Sequence, residues 1–268
     1  MNLHGKKILI TGGGTGIGLA LADALAAKGA ELLIAGRRGA PLAQAADRLR
    51  GGGATVHVAV ADVTDAAGRT ALIEAARVQL GGLDILINNA GGVRAGRLEA
   101  VDEAEIAAMI AVNLTAPILL TRLALPLLRA SGDAMVVNVS SGIALLGVPF
   151  YTTYAAVKAG IARFGEALRR ELKGEGVHVL TAYPAATDTP LMSSSRAGPE
   201  VGFAREPVAD VAAAIVGGMA ADAFDVVRGG EVRAQLIATN RDNPAAVDER
   251  FVKLKPVLEE AVRDHSAL

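Results

Sequence analysis

Lys7-Ile-Leu-Ile-Thr-Gly-Gly-Gly-Thr-Gly-Ile-Gly18 takes an aliphatic run and breaks it into glycine. Lys7–Thr11 reads as a short buried strand, and the Ala/Leu-rich residues 16–28 read as a helix. Each glycine has a task in a strand–turn–helix crossing. Gly12 permits a tight turn out of the strand, Gly16 lets the backbone approach an anion, and Gly18 lets the helix pack closely on the sheet. With Gly14, Thr15 and Ile17 between them, they aim free N–H groups and the positive end of the helix dipole at a pyrophosphate. A glycine run alone is only a flexible turn; the flanking strand and helix turn it into a dinucleotide signature.

Outward from this turn the same alternation continues. Residues 31–35, 55–60, 83–88, 134–139, 177–183 and 224–227 read as strands, and 41–49, 66–80, 101–129, 154–170 and 208–221 as helices. The strands are nearly continuously apolar, as expected where helices cover both faces of a parallel sheet. The expected fold is therefore α/β: one doubly wound (Rossmann) domain over residues 1–268, a seven-stranded parallel sheet with helices on both faces. Residues 186–206 read as a Ser-rich substrate lid, and 241–268 as a C-terminal helical extension.

Composition narrows the function. The chain has 268 residues, 51% hydrophobic, with a net charge of −1 and no cysteine. Near-neutral charge argues against a nucleic-acid groove or a basic membrane patch. Without cysteine there is no thiol nucleophile, thiolate metal site or disulfide, and no metal is expected. The apolar stretch 111–128 contains Asn113, Pro117, Arg122 and Pro126, which makes it a poor membrane span. The expected location is cytoplasmic.

A second stretch carries chemistry. Met135-Val-Val-Asn-Val-Ser-Ser141 is a β-branched run ending in hydroxyls, and Tyr154-Ala-Ala-Val-Lys158 follows on a helix. Residues four apart share a helix face, so Tyr154 and Lys158 sit side by side. An adjacent ammonium favours phenolate and should bring the phenol down from about 10 toward working pH. Ser141, at a strand end, can face the same point. Such a set protonates a carbonyl oxygen or deprotonates an alcohol.

The end of the second strand, Ala35-Gly36-Arg37-Arg38, lacks the acidic residue that would bind a ribose 2′-hydroxyl. Gly36 leaves room, and Arg37, with Arg38, suits a 2′-phosphate. NADP(H) is the expected cofactor, with NAD(H) the second choice. Asp62-Val63 and Asn88-Asn89-Ala90-Gly91 lie at strand ends, where ligands bind in such sheets. Asp62 either accepts from an adenine amino group or caps the next helix with Thr64; Asn88 is equally a turn former. Asn113 is anomalous in an apolar helix. Pro117 four residues later predicts a kink there that frees the Asn113 carbonyl.

These residues, in this order and spacing, resemble the short-chain dehydrogenase/reductase family over roughly residues 5–230. The resemblance implies hydride transfer between nicotinamide and a carbonyl or secondary alcohol, with Tyr154 as general acid/base. Lys158 would lower its pKa and hold the nicotinamide ribose, Ser141 would bind the reacting oxygen, and Asn113 would hold a relay water. By the same carry-over Gly12, Gly16 and Gly18 hold pyrophosphate, Asp62 and Asn89 lie near adenosine, and Val63, Ala90 and Gly91 belong to the cofactor site. Thr189 bonds the carboxamide, and Pro184 and Thr187 also belong to the cofactor site. Tyr151, seven residues before Lys158, is a decoy. The family's Pro-Gly is Pro184-Ala185 here, the residue before Gly16 is Thr15 rather than a basic one, and the last strand lacks the Asp-Gly-Gly of ketoacyl reductases. That last departure argues against a fatty-acid ketoreductase.

Substrate choice should lie with the apolar loop 143–150 and residues 188–205. Arg94 and Arg97 are either solvated or reach an acidic group. The expected partner is a small-molecule carbonyl or alcohol. Apolar helices at 101–129 and 150–170 predict a homodimer or homotetramer. The alternative is an NADP(H)-binding sensor of the same fold without turnover.

Overall fold

The computed structural model describes residues 1–268. The sheet is built from β1 (Lys7–Thr11), β2 (Glu31–Gly36), β3 (Val56–Val60) and β4 (Ile85–Asn88), then β6 (Ala134–Val139), β7 (Val177–Tyr183) and β8 (Asp225–Val227). A two-residue strand β5 (Val93–Arg94) lies between β4 and β6 and outside this sheet. The seven strands run parallel in the order β3-β2-β1-β4-β6-β7-β8. β4 and β6 are buried at every position, which explains their unbroken apolar sequence.

Helices α1 (Gly16–Ala26), α2 (Gly39–Gly51) and α7 (Val208–Ala220) cover one face. There Leu21 and Leu25 of α1 and Ile215 and Met219 of α7 pack on Ile8, Ile10 and Leu180. The other face is covered by α3 (Ala66–Ala75), α5 (Ala116–Ser131) and α6 (Thr152–Glu171), with Leu72, Leu120, Leu128 and Leu168 against Leu9, Leu86 and Val136.

The expected helix over 101–129 is two helices, α4 (Glu103–Ile110) and α5, joined by a π-helical turn at Ala111–Thr115. Pro117 supplies no N–H to the carbonyl of Asn113, and the ladder widens at that point. The run Glu103–Ser131 is long and apolar enough to cross a membrane by length and composition, and its α5 part packs on the sheet through Leu120 and Leu128.

The C-terminal region departs further from expectation. Helix α8 (Gly230–Asp242) precedes α9 (Pro244–Val262), and the chain then forms β9 (Ser266–Ala267), antiparallel to β5. The expected extension, 241–268, thus holds the end of α8, the helix α9 and the strand β9. A third cluster forms where α9 meets the loops, joining Tyr151, Val148, Val201, Leu258 and Val262.

Candidate active site

The strand order reverses between β1 and β4, which opens a crevice at the carboxyl ends of the strands. β1 ends in Thr11, whose hydroxyl accepts from the N–H groups of Asn89 and Ala90, both at 3.0 Å, and donates to the Ile87 carbonyl. Asn89 Nδ2 donates to the Thr11 carbonyl at 2.9 Å. These bonds stitch the glycine turn to the Asn88–Gly91 loop. Gly12 and Gly16 have φ of 67° and 55°, which side chains rarely adopt. A Cβ on Gly18 would lie 2.2 Å from the Gly12 carbonyl oxygen, so α1 packs directly on its own turn.

A cleft of about 480 Å³ follows. Of the residues singled out in the sequence, Gly12, Thr15, Gly16, Ile17, Arg37, Arg38, Asn89, Ala90, Gly91, Asn113, Ser141, Tyr154, Lys158, Pro184, Thr187 and Thr189 line it. Four do not. Gly14 packs on Leu42 and Gly18 on the turn, so both shape the cleft from behind. Val63 is buried in the core. Asp62 accepts from the N–H and hydroxyl of Thr64, at 2.8 and 2.7 Å. That contact closes a local turn and does not cap the helix: the N-cap of α3 is Asp65, which makes no side-chain cap bond. Burial opposes the Asp62 charge, while the Thr64 bonds and the Arg37 charge favour it, leaving the carboxyl below its usual range.

The cleft fits a dinucleotide. Thr15, the N-cap of α1, makes no side-chain cap bond, and the first turn of α1 holds no acid, so its N–H groups stay available to an anion. Arg37 and Arg38 are exposed at the mouth without an ion pair. A Cβ on Gly91 would lie 2.7 Å from Asn113 Oδ1 and 3.5 Å from Lys158 Nζ, so this backbone was kept bare beside the polar floor.

The polar floor is held from below. Asn113 Nδ2 donates to the carbonyls of Gly92 (2.8 Å) and Met109 (3.0 Å), and its Oδ1 is buried without a partner. Lys158 is buried, with Nζ donating to the Val139 carbonyl at 3.1 Å. Its ammonium lies 5.6 Å from the centre of the Tyr154 ring. Burial pushes the Tyr154 phenol up to about 12, the Ser141 hydroxyl acting the other way, and burial pushes Lys158 down to about 8. The expected downward shift of the phenol is therefore corrected. Desolvation is the larger cause, and the Ser141 hydroxyl is what opposes it.

Sequence reasoning missed several lining groups. Arg233 from α8, His265 beside β9, Ala267 and Leu268 all reach the cleft. His265 is fully buried, its Nδ1 2.9 Å from the Ser194 hydroxyl, and burial holds it near 4. Tyr151 lines the cleft too, stacked on Phe203 (5.6 Å) and edge-on to His265 (6.0 Å), and its hydroxyl is buried without completing a hydrogen bond. No local motif marks a lone arginine or histidine in a charged tail. Asn88, left open between ligand and turn former, is structural: its Nδ2 donates to Thr121 and Asn138, both at 3.0 Å, bracketing β4, α5 and β6. Arg94 pairs with Glu105 at 3.1 Å, and Arg97 pairs with Glu259, so both are engaged.

Residues 6–200 match the sequence profile of short chain dehydrogenases. The chain belongs to that family. It is similar to the ketoacyl reductase HetN of Nostoc sp., 35% identical over 182 residues that make up 68% of this chain and 63% of that protein. It is also similar to a D-beta-hydroxybutyrate dehydrogenase of Cupriavidus necator, 36% identical over 190 residues, covering 71% of this chain and 74% of the relative. In three dimensions it matches a short chain dehydrogenase/reductase of Burkholderia phymatum crystallised with NAD, with a TM-score of 0.84 at 24% identity. That match covers 92% of this chain and 96% of the other, and it shows the shared fold.

Proposed function

We propose that this member of the family is an NADP(H)-preferring oxidoreductase that interconverts a carbonyl and a secondary alcohol, with Tyr154 as proton donor and acceptor. One observation supports this above others: Asn113, Ser141, Tyr154 and Lys158 meet in the cleft that also contains the glycine turn. A nicotinamide cofactor supplies the hydride or its acceptor when bound. Gly12, Gly16 and the N-terminus of α1 would hold its pyrophosphate, and Arg37 and Arg38 a 2′-phosphate.

The remaining chemistry is the protein's own. Ser141 orients the oxygen and Tyr154 protonates it. Burial raises the phenol further above neutral, so it meets a carbonyl as the acid form that can protonate it. Below about 8 the Lys158 ammonium offsets negative charge as the phenol gives up its proton. In the π-turn Pro117 offers no N–H to the Asn113 backbone carbonyl, and we assign that carbonyl the relay water. Exposed Phe224 just before β8, Val227 on β8 and Val232 on α8 support self-association as a homodimer or homotetramer, and we place the enzyme in the cytoplasm.

The test is to follow NADPH absorbance over a panel of ketones and aldehydes. Oxidation of NADPH coupled to loss of carbonyl is expected; tight cofactor binding with no turnover anywhere on the panel would refute the enzyme in favour of a sensor.

A further inference from the structure

We propose that Arg233 is the anion-binding residue of the substrate pocket, so that the substrate is an oxo acid, or the matching hydroxy acid, with its carboxylate a few bonds from the reacting carbon. This rests on the oxidoreductase reading above and names the substrate class of that site.

Arg233 stands near the start of α8 and reaches into the catalytic cleft. Its guanidinium lies flat against Gly142: a Cβ there would be 2.6 Å from Nε and 2.9 Å from both Cζ and Nη2. Gly142 directly follows Ser141, with the two Cα atoms about 3.8 Å apart. The cation therefore lies next to the residue that orients the reacting oxygen. Any larger residue at 142 would displace it.

The guanidinium has no partner. Arg233 takes part in no ion pair, and its Nε is buried without an acceptor. The acid nearest in effect, Glu206, is committed to Arg228 at 2.9 Å. Arg94, Arg97 and Arg205 do not line the cleft and are engaged elsewhere: Arg94 with Glu105, Arg97 with Glu259, and Arg205 with the carbonyls of Met192 and Ser195. A buried donor left unsatisfied is costly, so its retention calls for an acceptor that arrives with the ligand. Arginine stays charged at any working pH, and its planar fork matches a carboxylate in two parallel hydrogen bonds.

Position selects the anion. Ile143, Val139 and Pro184 give this part of the cleft apolar walls. They leave a group beside Ser141 only a short reach from the carbonyl. A carboxylate on a short chain meets that reach; a carrier-bound thioester has no charge so near its carbonyl.

The test uses matched substrates: short 3-oxo and 4-oxo acids, their methyl esters, and a 3-oxoacyl thioester, each followed by NADPH oxidation. Wild type should favour the acid over its ester by at least about tenfold in kcat/KM. Arg233→Met should lose about 10- to 100-fold on the acid, through KM, with a several-fold smaller loss on the ester, and Arg233→Lys should fall between. Equal efficiency on acid and ester in wild type, or equal losses on both in Arg233→Met, overturns the proposal. So does a preference for the thioester that Arg233→Met leaves intact. Calorimetric titration of the NADPH complex with the acids separates the two readings. Acid binding that depends on Arg233 without turnover supports the anion site and removes the oxidoreductase; ester turnover without acid binding does the reverse.

Discussion

Ser140 Oγ donates a 2.7 Å hydrogen bond to the backbone carbonyl of Lys158. The bond joins the end of β6 to the second turn of α6, and so fixes Ser141 relative to Tyr154 and Lys158. Sequence reading attended to Ser141 and passed over its neighbour. Ser140→Ala should cost about 1–2 kcal/mol of stability and lower kcat as the two elements lose register. Denaturant titration together with steady-state kinetics checks both; a variant unchanged in each would mean the tether is idle.

Tyr154 and Tyr151 have ring centroids 6.3 Å apart and both line the cleft. Only Tyr154 adjoins Ser141 and the Lys158 ammonium. Tyr154→Phe should lower kcat about 10²- to 10⁴-fold. Tyr151→Phe removes a hydroxyl that completes no hydrogen bond and should alter turnover little. The reverse pattern would move the proton donor to Tyr151.

Arg37 and Arg38 are exposed and free of ion pairs at the cleft mouth. Arg37→Ala should raise the KM for NADPH about 10- to 100-fold, the scale of a hydrogen bond to a charged group, and leave that for NADH nearly unchanged. A wild-type enzyme that prefers NADH would discard this assignment outright.

Burial pushes Lys158 down to about 8 and Tyr154 up to about 12. The ammonium is present below about 8 and is lost as pH rises through it, while the phenol stays protonated. Reduction should therefore proceed evenly from pH 6 to about 7.5, then decline with one ionisation near 8. Lys158→Met should remove that decline and leave a low, flat profile. A wild-type limb that rises across pH 8 would contradict the assigned charge states.

The doubly wound sheet was legible because its signals are local: apolar runs, glycines at fixed offsets, and a YxxxK pair on one helix face. The turn at Asn113 was legible for the same reason, Pro117 lying four residues away. What escaped is contact between distant segments. Arg233 meets Gly142 across 91 positions, and Ser194 meets His265 across 71. Neither pair leaves a periodicity to read. The direction of the Tyr154 shift escaped as well, since spacing reports that a cation is near but not how far water has been excluded.

The family profile ends at residue 200, yet Arg233, His265, Ala267 and Leu268 all reach the cleft from beyond it. The proposed proton donor and the glycine turn are anchored on the sheet and its flanking helices, whereas a wall of the chamber is hung from β9, itself held by two residues of β5. Selection can thus retailor the tail for a new ligand and leave the reacting centre untouched. Recombination among relatives has a natural seam between these two parts.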